Sequence, residues 1–360
     1  ITAALSGGRA GSLLDAVDRT ATAGGARLLE RRLASPSRDL GQIRARLGSV
    51  EILLDQTRLR EDLREALRRV PDMDRALSRL ALDRGGPRDL AAIRNGLSQA
   101  ALIADLVAGV EPGLLAEAAR GLVGNEDLIS LLDQSLVDEP PLLLRDGGFI
   151  AGGFDDELDE TRRLRDEGRG VIAGMQADFI AQTGIQSLKI KHNNVLGYFI
   201  ETTSTHAERM LAPPLNEQFI HRQTTANQVR FTTVDLSALE TRILNAGNHA
   251  LELEKRHFAT LRSAVLAAAG PIGVAAAGLA ELDVAAGFAD LATAEDWVQP
   301  RVDASHAFAV EGGRHPVVER ALRRQGGAPF VANDCALTEE STPAIWLLTA
   351  PNMAGKSTFL

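Results

Sequence analysis

The sequence predicts a mainly α protein. A helical core and long helices carry a small β-rich insertion, and the terminal stretch reads as the N-terminal edge of a P-loop α/β domain. Three observations carry this. Aromatic content is only 4 % while Ala, Leu and Arg abound, which favours helix over sheet. Leu236, Leu239, Ile243, Ala246, Ala250 and Leu253 step three and four apart. Continued toward Ala268, this heptad makes a helix of about 34 residues, roughly 50 Å long. Finally, the apolar run 344–348 leads into Gly355-Lys356-Ser357-Thr358, the strand–loop–helix layout that cradles phosphate.

The elements follow in order. Residues 11–34 read as a helix, with Gly24-Gly25 as a break or close-packing point. After Ser35-Pro36-Ser37, the set Leu40, Ile43, Leu47, Val50 and Leu54 forms one helical face. Pro71 suits a first helical position, and Gly85-Gly86-Pro87 ends one helix and starts another. Helices are expected over 88–108 and 125–137, and Leu142 to Ile150 around Asp146-Gly147-Gly148 suggests a small hairpin. Residues 155–181 return to helix, with Ile172, Met175 and Phe179 on the buried face. Leu188-Lys189-Ile190-Lys191 then alternates apolar with basic, and Gly197 to Thr202 is β-rich beyond an Asn193-Asn194 turn. This is a hairpin with one apolar and one basic face. A second polar β-like stretch spans 221–233. Long helices on either side fit a stalk carrying a tip, or equally a helical bundle with a surface hairpin. From Trp297, Phe308-Ala309-Val310, Gly312 to Glu319, Phe330 to Asp334 and the run 344–348 read as β. The expected domains are 1–184, 185–233, 234–296 and 297–360, the last truncated after the P-loop.

Composition narrows the classes. The chain has 360 residues, 45 % hydrophobic and 24 % charged, enough for two or three domains. A single cysteine, Cys335, rules out an internal disulfide and points to a reducing compartment. The uncharged run 263–280 is Ala- and Gly-rich with Pro271 inside it, which suits a buried helix pair better than a membrane span. The net charge of −9 argues against general nucleic-acid coating. Yet lysine occurs only at 189, 191, 255 and 356, and residues 185–231 add Arg209, Arg222 and Arg230 to Lys189 and Lys191. A locally basic stretch in an acidic chain points to a polyanion.

In the terminal loop, backbone N–H groups and a helix N-terminus would cradle phosphate, Lys356 would reach the β- and γ-phosphates, and Ser357 would ligate Mg²⁺. The P-loop pattern opens with Gly, whereas here that position is Ala350. Read alone, the stretch is either a nucleotide site or a Gly-containing turn after a strand.

Several motifs together resemble the MutS family of bacterial mismatch-repair ATPases. Asn352-Met353-Ala354-Gly355-Lys356-Ser357-Thr358 is similar to that family's P-loop. Gly313-Arg314-His315-Pro316-Val317-Val318-Glu319 resembles the lead-in to its ATPase domain, and Phe330-Val331-Ala332-Asn333 the segment whose ring packs on adenine. Leu188 to Asn194 with Gly197-Tyr198 resembles its DNA clamp, and His221-Arg222-Gln223-Thr224 the clamp's return strand. Pro140-Pro141, Arg145 to Gly148, Glu157 to Glu160, Leu282-Asp283-Val284 and Leu14-Asp15 resemble its lever and core. The match is collinear over almost the whole chain.

The resemblance implies a piece of a longer protein: core and first lever, β-rich DNA clamp, second lever helices and the start of an ATPase domain. It implies phosphate contacts from Lys189, Lys191, Asn193, Asn194, Arg222 and Arg230. It implies ATP contacts from Ala350, Pro351, Asn352, Met353, Ala354, Gly355, Lys356, Ser357, Thr358 and Phe330, with Mg²⁺ on Ser357. The whole protein would bind mismatched duplex DNA, use ATP to become a sliding clamp, work as a homodimer with a MutL-type partner, and reside in the bacterial cytoplasm near the nucleoid, not in a membrane. The fragment alone would not hydrolyse ATP. Ala226 stands where relatives often carry lysine, and Val229 where they can be acidic. Rival readings are a MutS-like ATPase acting on branched DNA, a P-loop kinase or transferase, and a helical scaffold with a chance P-loop.

Overall fold

The computed structural model describes residues 1–3, 7–193, 195–339, 342–343, 345–349 and 359. In chain order the helices are α1 (Leu13–Val17), α2 (Ala23–Ala34), α3 (Leu40–Asp55), α4 (Thr57–Leu67), α5 (Met73–Ala81), α6 (Pro87–Leu106), α7 (Leu114–Arg120), α8 (Glu126–Ser135), α9 (Asp156–Thr183), α10 (Ser204–Leu211), α11 (Val234–Ala267), α12 (Ala269–Glu295) and α13 (Pro316–Gln325). Strands β1 (Lys189–Asn193), β2 (Gly197–Thr203), β3 (Ile220–Thr224) and β4 (Gln228–Thr232) form one antiparallel sheet in the order β1-β2-β4-β3. Strands β5 (Ala309–Gly313) and β6 (Asn333–Ala336) pair, as do β7 (Thr338–Glu339) and β8 (Thr342–Pro343). The mainly α reading holds.

The chain forms two compact units. One comprises residues 1–85, 89–131 and 264–360; the other comprises 86–88 and 132–263.

The first unit is built around α12. This helix buries residues on all sides, among them Ile272, Leu279, Leu282, Val284, Ala286 and Leu291, the pattern of a helix packed all round. It is long and apolar enough to cross a membrane by composition, but 67 % of its most apolar window is buried inside the protein, as expected of the run 263–280. Asp283 on α12 is fully buried. It accepts hydrogen bonds from Ala21 N at 2.8 Å, Thr22 N at 2.8 Å and Thr22 Oγ1 at 2.7 Å. Thr22 Oγ1 in turn caps α2 by accepting from Gly25 N at 2.9 Å. Burial pushes the Asp283 carboxyl up, and these donors only partly offset it. A Cβ on Gly25 would lie 2.1 Å from Asp283 Oδ2.

Several sequence expectations shift here. The helix expected over 11–34 divides at residues 18–22, not at Gly24-Gly25, because the Asp283 contacts require non-helical backbone at Ala21 and Thr22. The glycine pair is the close-packing point. Pro71 precedes the α5 cap, Asp72, whose side chain accepts from Arg75 N; Pro87 does open α6. On α3 the fully buried residues are Ser49 and Leu53. The expected face, with Ile43, Leu47, Val50 and Leu54, is only half-buried and lines an apolar cavity of about 380 Å³.

In the second unit, α9 and α11 flank the four-stranded sheet in sequence. The heptad positions Leu236, Leu239, Ala246, Ala250 and Leu253 are buried, and α11 has the expected 34 residues. Arg162 of α9 pairs with Glu254 of α11, whose Oε2 accepts from Phe149 N at 3.4 Å. Residues 142–150 form no hairpin: Leu144–Asp146 is a 3₁₀ turn, and Ile150 bridges antiparallel to Leu136. The short helix α10, between β2 and β3, interrupts the stretch expected to be β-rich. Its Ala207 and Met210 join Phe179, Ile200, Phe219, Phe231 and Leu236 beneath the sheet.

Near the C-terminus, Pro316 to Glu319 is helical, not β: His315 caps α13, Pro316 occupies its first turn and Gly326 ends it in the left-handed region. Residues 345–348 are no buried strand. Ile345 is 95 % and Leu347 88 % exposed, and no described strand pairs with them to satisfy their backbone or cover them.

Thermal melting checks the α2–α12 lock. Asp283→Ala strands two buried donors on Thr22 and a half-buried one on Ala21 and is expected to destabilise the protein by on the order of 3 kcal/mol. Gly25→Ala should lower the melting temperature as well, because the added methyl displaces the carboxylate.

Candidate nucleic-acid interface and nucleotide pocket

The sheet of the second unit has two unlike faces, as pleating dictates. Ile190, Ile200 and Phe231 lie in cross-strand register and face the apolar cluster. Displaced by one residue, Lys189, Glu201 and Arg230 lie in register across β1, β2 and β4, so they share the other face. Lys191 opposes Phe199 on that face.

Two long-range hydrogen bonds hold the hairpin to the flanking helices. Gln176 Oε1 of α9 accepts from Ile190 N at 2.8 Å, and Glu240 Oε1 of α11 accepts from Tyr198 N at 3.1 Å. Gly197 makes the second possible. Its φ is +69°, and a Cβ there would lie 1.8 Å from Glu240 Oε1. Neither Gln176 nor Glu240 stood out in the sequence; only the glycine after the turn signalled a close approach.

The expected phosphate-contacting residues separate into groups. Lys189 and Arg222 are exposed. Arg222 is the extra residue where the β3–β4 register shifts between His221 and Gln223, a bulge on an edge strand that redirects a side chain. Lys191 Nζ donates to Glu201 Oε1 at 2.6 Å, and Arg230 Nε to Glu201 Oε2 at 3.2 Å. Arg230 also donates to Gln223 Oε1 at 2.9 Å and lies 4.7 Å over the Phe199 ring. Asn193 Oδ1 accepts from Val195 N and Leu196 N, so that side chain builds the turn, as Asx residues do. Asn194 lies outside the described residues. The face is thus not purely basic. Glu201, only 5 % exposed, sits among its cations. Burial pushes the Glu201 carboxyl up, but the hydrogen bonds from Lys191 and Arg230 outweigh that and hold it below the ordinary 4.5. Val229 packs into the apolar cluster, which accounts for its apolar character; Ala226 is exposed.

In the first unit, Phe330 is half-buried and lines a cavity of about 290 Å³ with Phe308, Val310, His315, Pro316 and Cys335. Beside it, Arg314 donates to the C-terminal carbonyls of α12, Glu295 O at 2.6 Å and Asp296 O at 2.8 Å, and to Glu319 Oε1 of α13 at 3.2 Å. This fixes the end of α12 to the wall of the cavity. Ala350, Pro351, Asn352, Met353, Ala354, Gly355, Lys356, Ser357 and Thr358 lie outside the described residues.

The family model for MutS domain III matches residues 1–289. The chain belongs to the MutS family. It is 74 % identical over 360 residues to the DNA mismatch repair protein MutS of Cereibacter sphaeroides, 72 % over 360 residues to that of Paracoccus denitrificans, and 68 % over 361 residues to that of Ruegeria pomeroyi. Each match takes in 100 % of this chain and 41 % of the relative. The chain therefore spans well under half the length of these MutS relatives.

Two outcomes are expected. Gly197→Ala should destabilise the second unit and raise amide exchange at Tyr198, read by hydrogen–deuterium exchange, because the methyl expels Glu240. The Glu201 contribution to stability is fully present above pH of about 4.5 and is lost as pH falls through its lower folded value. Glu201→Gln should flatten the dependence of the urea midpoint on pH below about 4.5.

Proposed function

We propose that this chain is the core, lever and clamp portion of an ATP-dependent mismatch-repair protein, together with the beginning of its nucleotide site. Relatives named DNA mismatch repair protein MutS match every residue of the chain at up to 74 % identity, and this observation carries the reading. The four-stranded sheet grips the phosphate backbone of duplex DNA without reading sequence. Lys189 and Arg222, exposed and with no ion pair among the described residues, make the first contacts. Phe330 stacks on adenine in the cavity it lines, and the loop 350–358 carries the phosphates, with Lys356 on the β- and γ-groups and Ser357 on Mg²⁺. In the whole protein, ATP binding at paired sites of a homodimer reshapes the long helices and converts a mismatch-bound state into a sliding one that engages a MutL-type partner.

Measurements on the full-length protein test both ends. The charge-removing pair Lys189→Ala and Arg222→Ala should flatten the slope of log binding constant against log salt by about two phosphate contacts on duplex DNA; an unchanged slope removes the clamp from the reading. Lys356→Ala should abolish ATP-driven release from a mismatched duplex, followed by surface plasmon resonance. Normal release would exclude the loop from nucleotide binding, and failure of both variants to act would favour a structural scaffold.

A further inference from the structure

Among the described residues, Glu201 is the acid set within the cation cluster of the sheet. It is 5 % exposed, it faces Lys189 and Arg230 in cross-strand register, and each of its oxygens takes a different cation, Lys191 at 2.6 Å and Arg230 at 3.2 Å. The two cations are unequally committed. The Lys191 side chain remains 49 % exposed, on a strand at the sheet edge, whereas that of Arg230 is 23 % exposed and is also held by Gln223 and the Phe199 ring.

On the clamp reading above, we infer that Glu201 is a positioning residue that competes with DNA phosphate for Lys191 and holds Arg230 flat on Phe199. The sheet then meets the duplex with Lys189 and Arg222 uncommitted. Lys191 is transferred from carboxylate to phosphate only when the backbone comes within reach. A phosphate that takes Lys191 must break an existing charge-assisted hydrogen bond, so this contact contributes less affinity than an uncommitted lysine does. A salt bridge with one exposed member is weak enough to be exchanged in this way. Arg230, pinned on three sides, stays as the remaining counter-charge of Glu201. The arrangement keeps nonspecific grip on duplex DNA moderate, as suits a clamp that must also slide.

A double-mutant cycle on the full-length protein tests this, with perfectly paired duplex DNA as the probe and binding constants across a salt titration as the readout. Glu201→Gln should tighten binding several-fold at fixed salt, because Lys191 then reaches phosphate without breaking an ion pair. Lys191→Ala should weaken binding at fixed salt only slightly when Glu201 is intact and several-fold in the Glu201→Gln background. Equal effects of Lys191→Ala in both backgrounds would overturn the inference, since a merely stabilising ion pair predicts additivity in binding. If Glu201→Gln fails to fold, Glu201→Gln with Arg230→Met removes acid and cation together, and Lys191→Ala is repeated in that background with the same two outcomes. The Lys189→Ala and Arg222→Ala pair separates the readings. If it leaves the slope unchanged, the clamp assignment itself fails. If it flattens the slope while the cycle is additive, only the role of Glu201 fails.

Discussion

The buried carboxylate of Asp283 is the constraint on which the first unit rests. It takes three donors from Ala21 and Thr22, 262 and 261 residues earlier in the chain. Burying an acid is costly, and burial does push this one up, so the site persists because the donors surround it and the α2 N-terminus lies beside it. The consequence is topological. The first α2 turn is fixed to the middle of α12, so the first unit closes on segments from both ends of the chain. In sequence, residues 132–263 are inserted between segments that belong to this one helical assembly. Gly25 is the residue that this lock demands, since no side chain fits between α2 and the carboxylate.

A second set of polar contacts organises the excursion itself. Arg162 and Glu254 tie α9 to α11, while Gln176 and Glu240 each reach one strand of the hairpin from those helices. Both long helices are therefore hydrogen-bonded directly to the backbone that presents Lys189 and Lys191. Moving either helix along its axis must then break one of these hydrogen bonds or carry the strand with it.

Legibility followed the range of the interaction that decides each element. The α11 helix was readable because its heptad repeats over many turns, and the β1–β2 hairpin because alternation and the Asn193 turn are local signals. The break before α2 was not readable, because Asp283 dictates it from far along the chain. Residues 316–319 look like a strand by composition, Val317 and Val318 being β-branched, yet His315 and Pro316 start a helix there. The run 344–348 has strand composition, but composition cannot supply the neighbouring strands that would bury it. In the site, the cations were countable from the sequence and their commitments were not. Glu201 reads as one acid among several until register places it across from Lys189 and Arg230.

That distinction decides how the charge of the sheet acts on a polyanion. Lys189, Lys191, Arg222 and Arg230 suggest four phosphate contacts by count. Glu201 cancels one charge and claims two donors, and the Phe199 ring holds the Arg230 guanidinium in place. The two uncommitted cations, Lys189 and Arg222, stand on opposite edge strands, β1 and β3, with Glu201 and Arg230 on the two strands between them. Long-range attraction depends on net charge and is set by the whole cluster less one. Short-range grip depends on which donors are least held, and here Lys191 is the more exposed while Arg230 is also held by Gln223 and the Phe199 ring. On the clamp reading proposed above, a sheet arranged this way attracts a duplex broadly and holds it at its edges, the balance that separates a surface able to slide from one that locks.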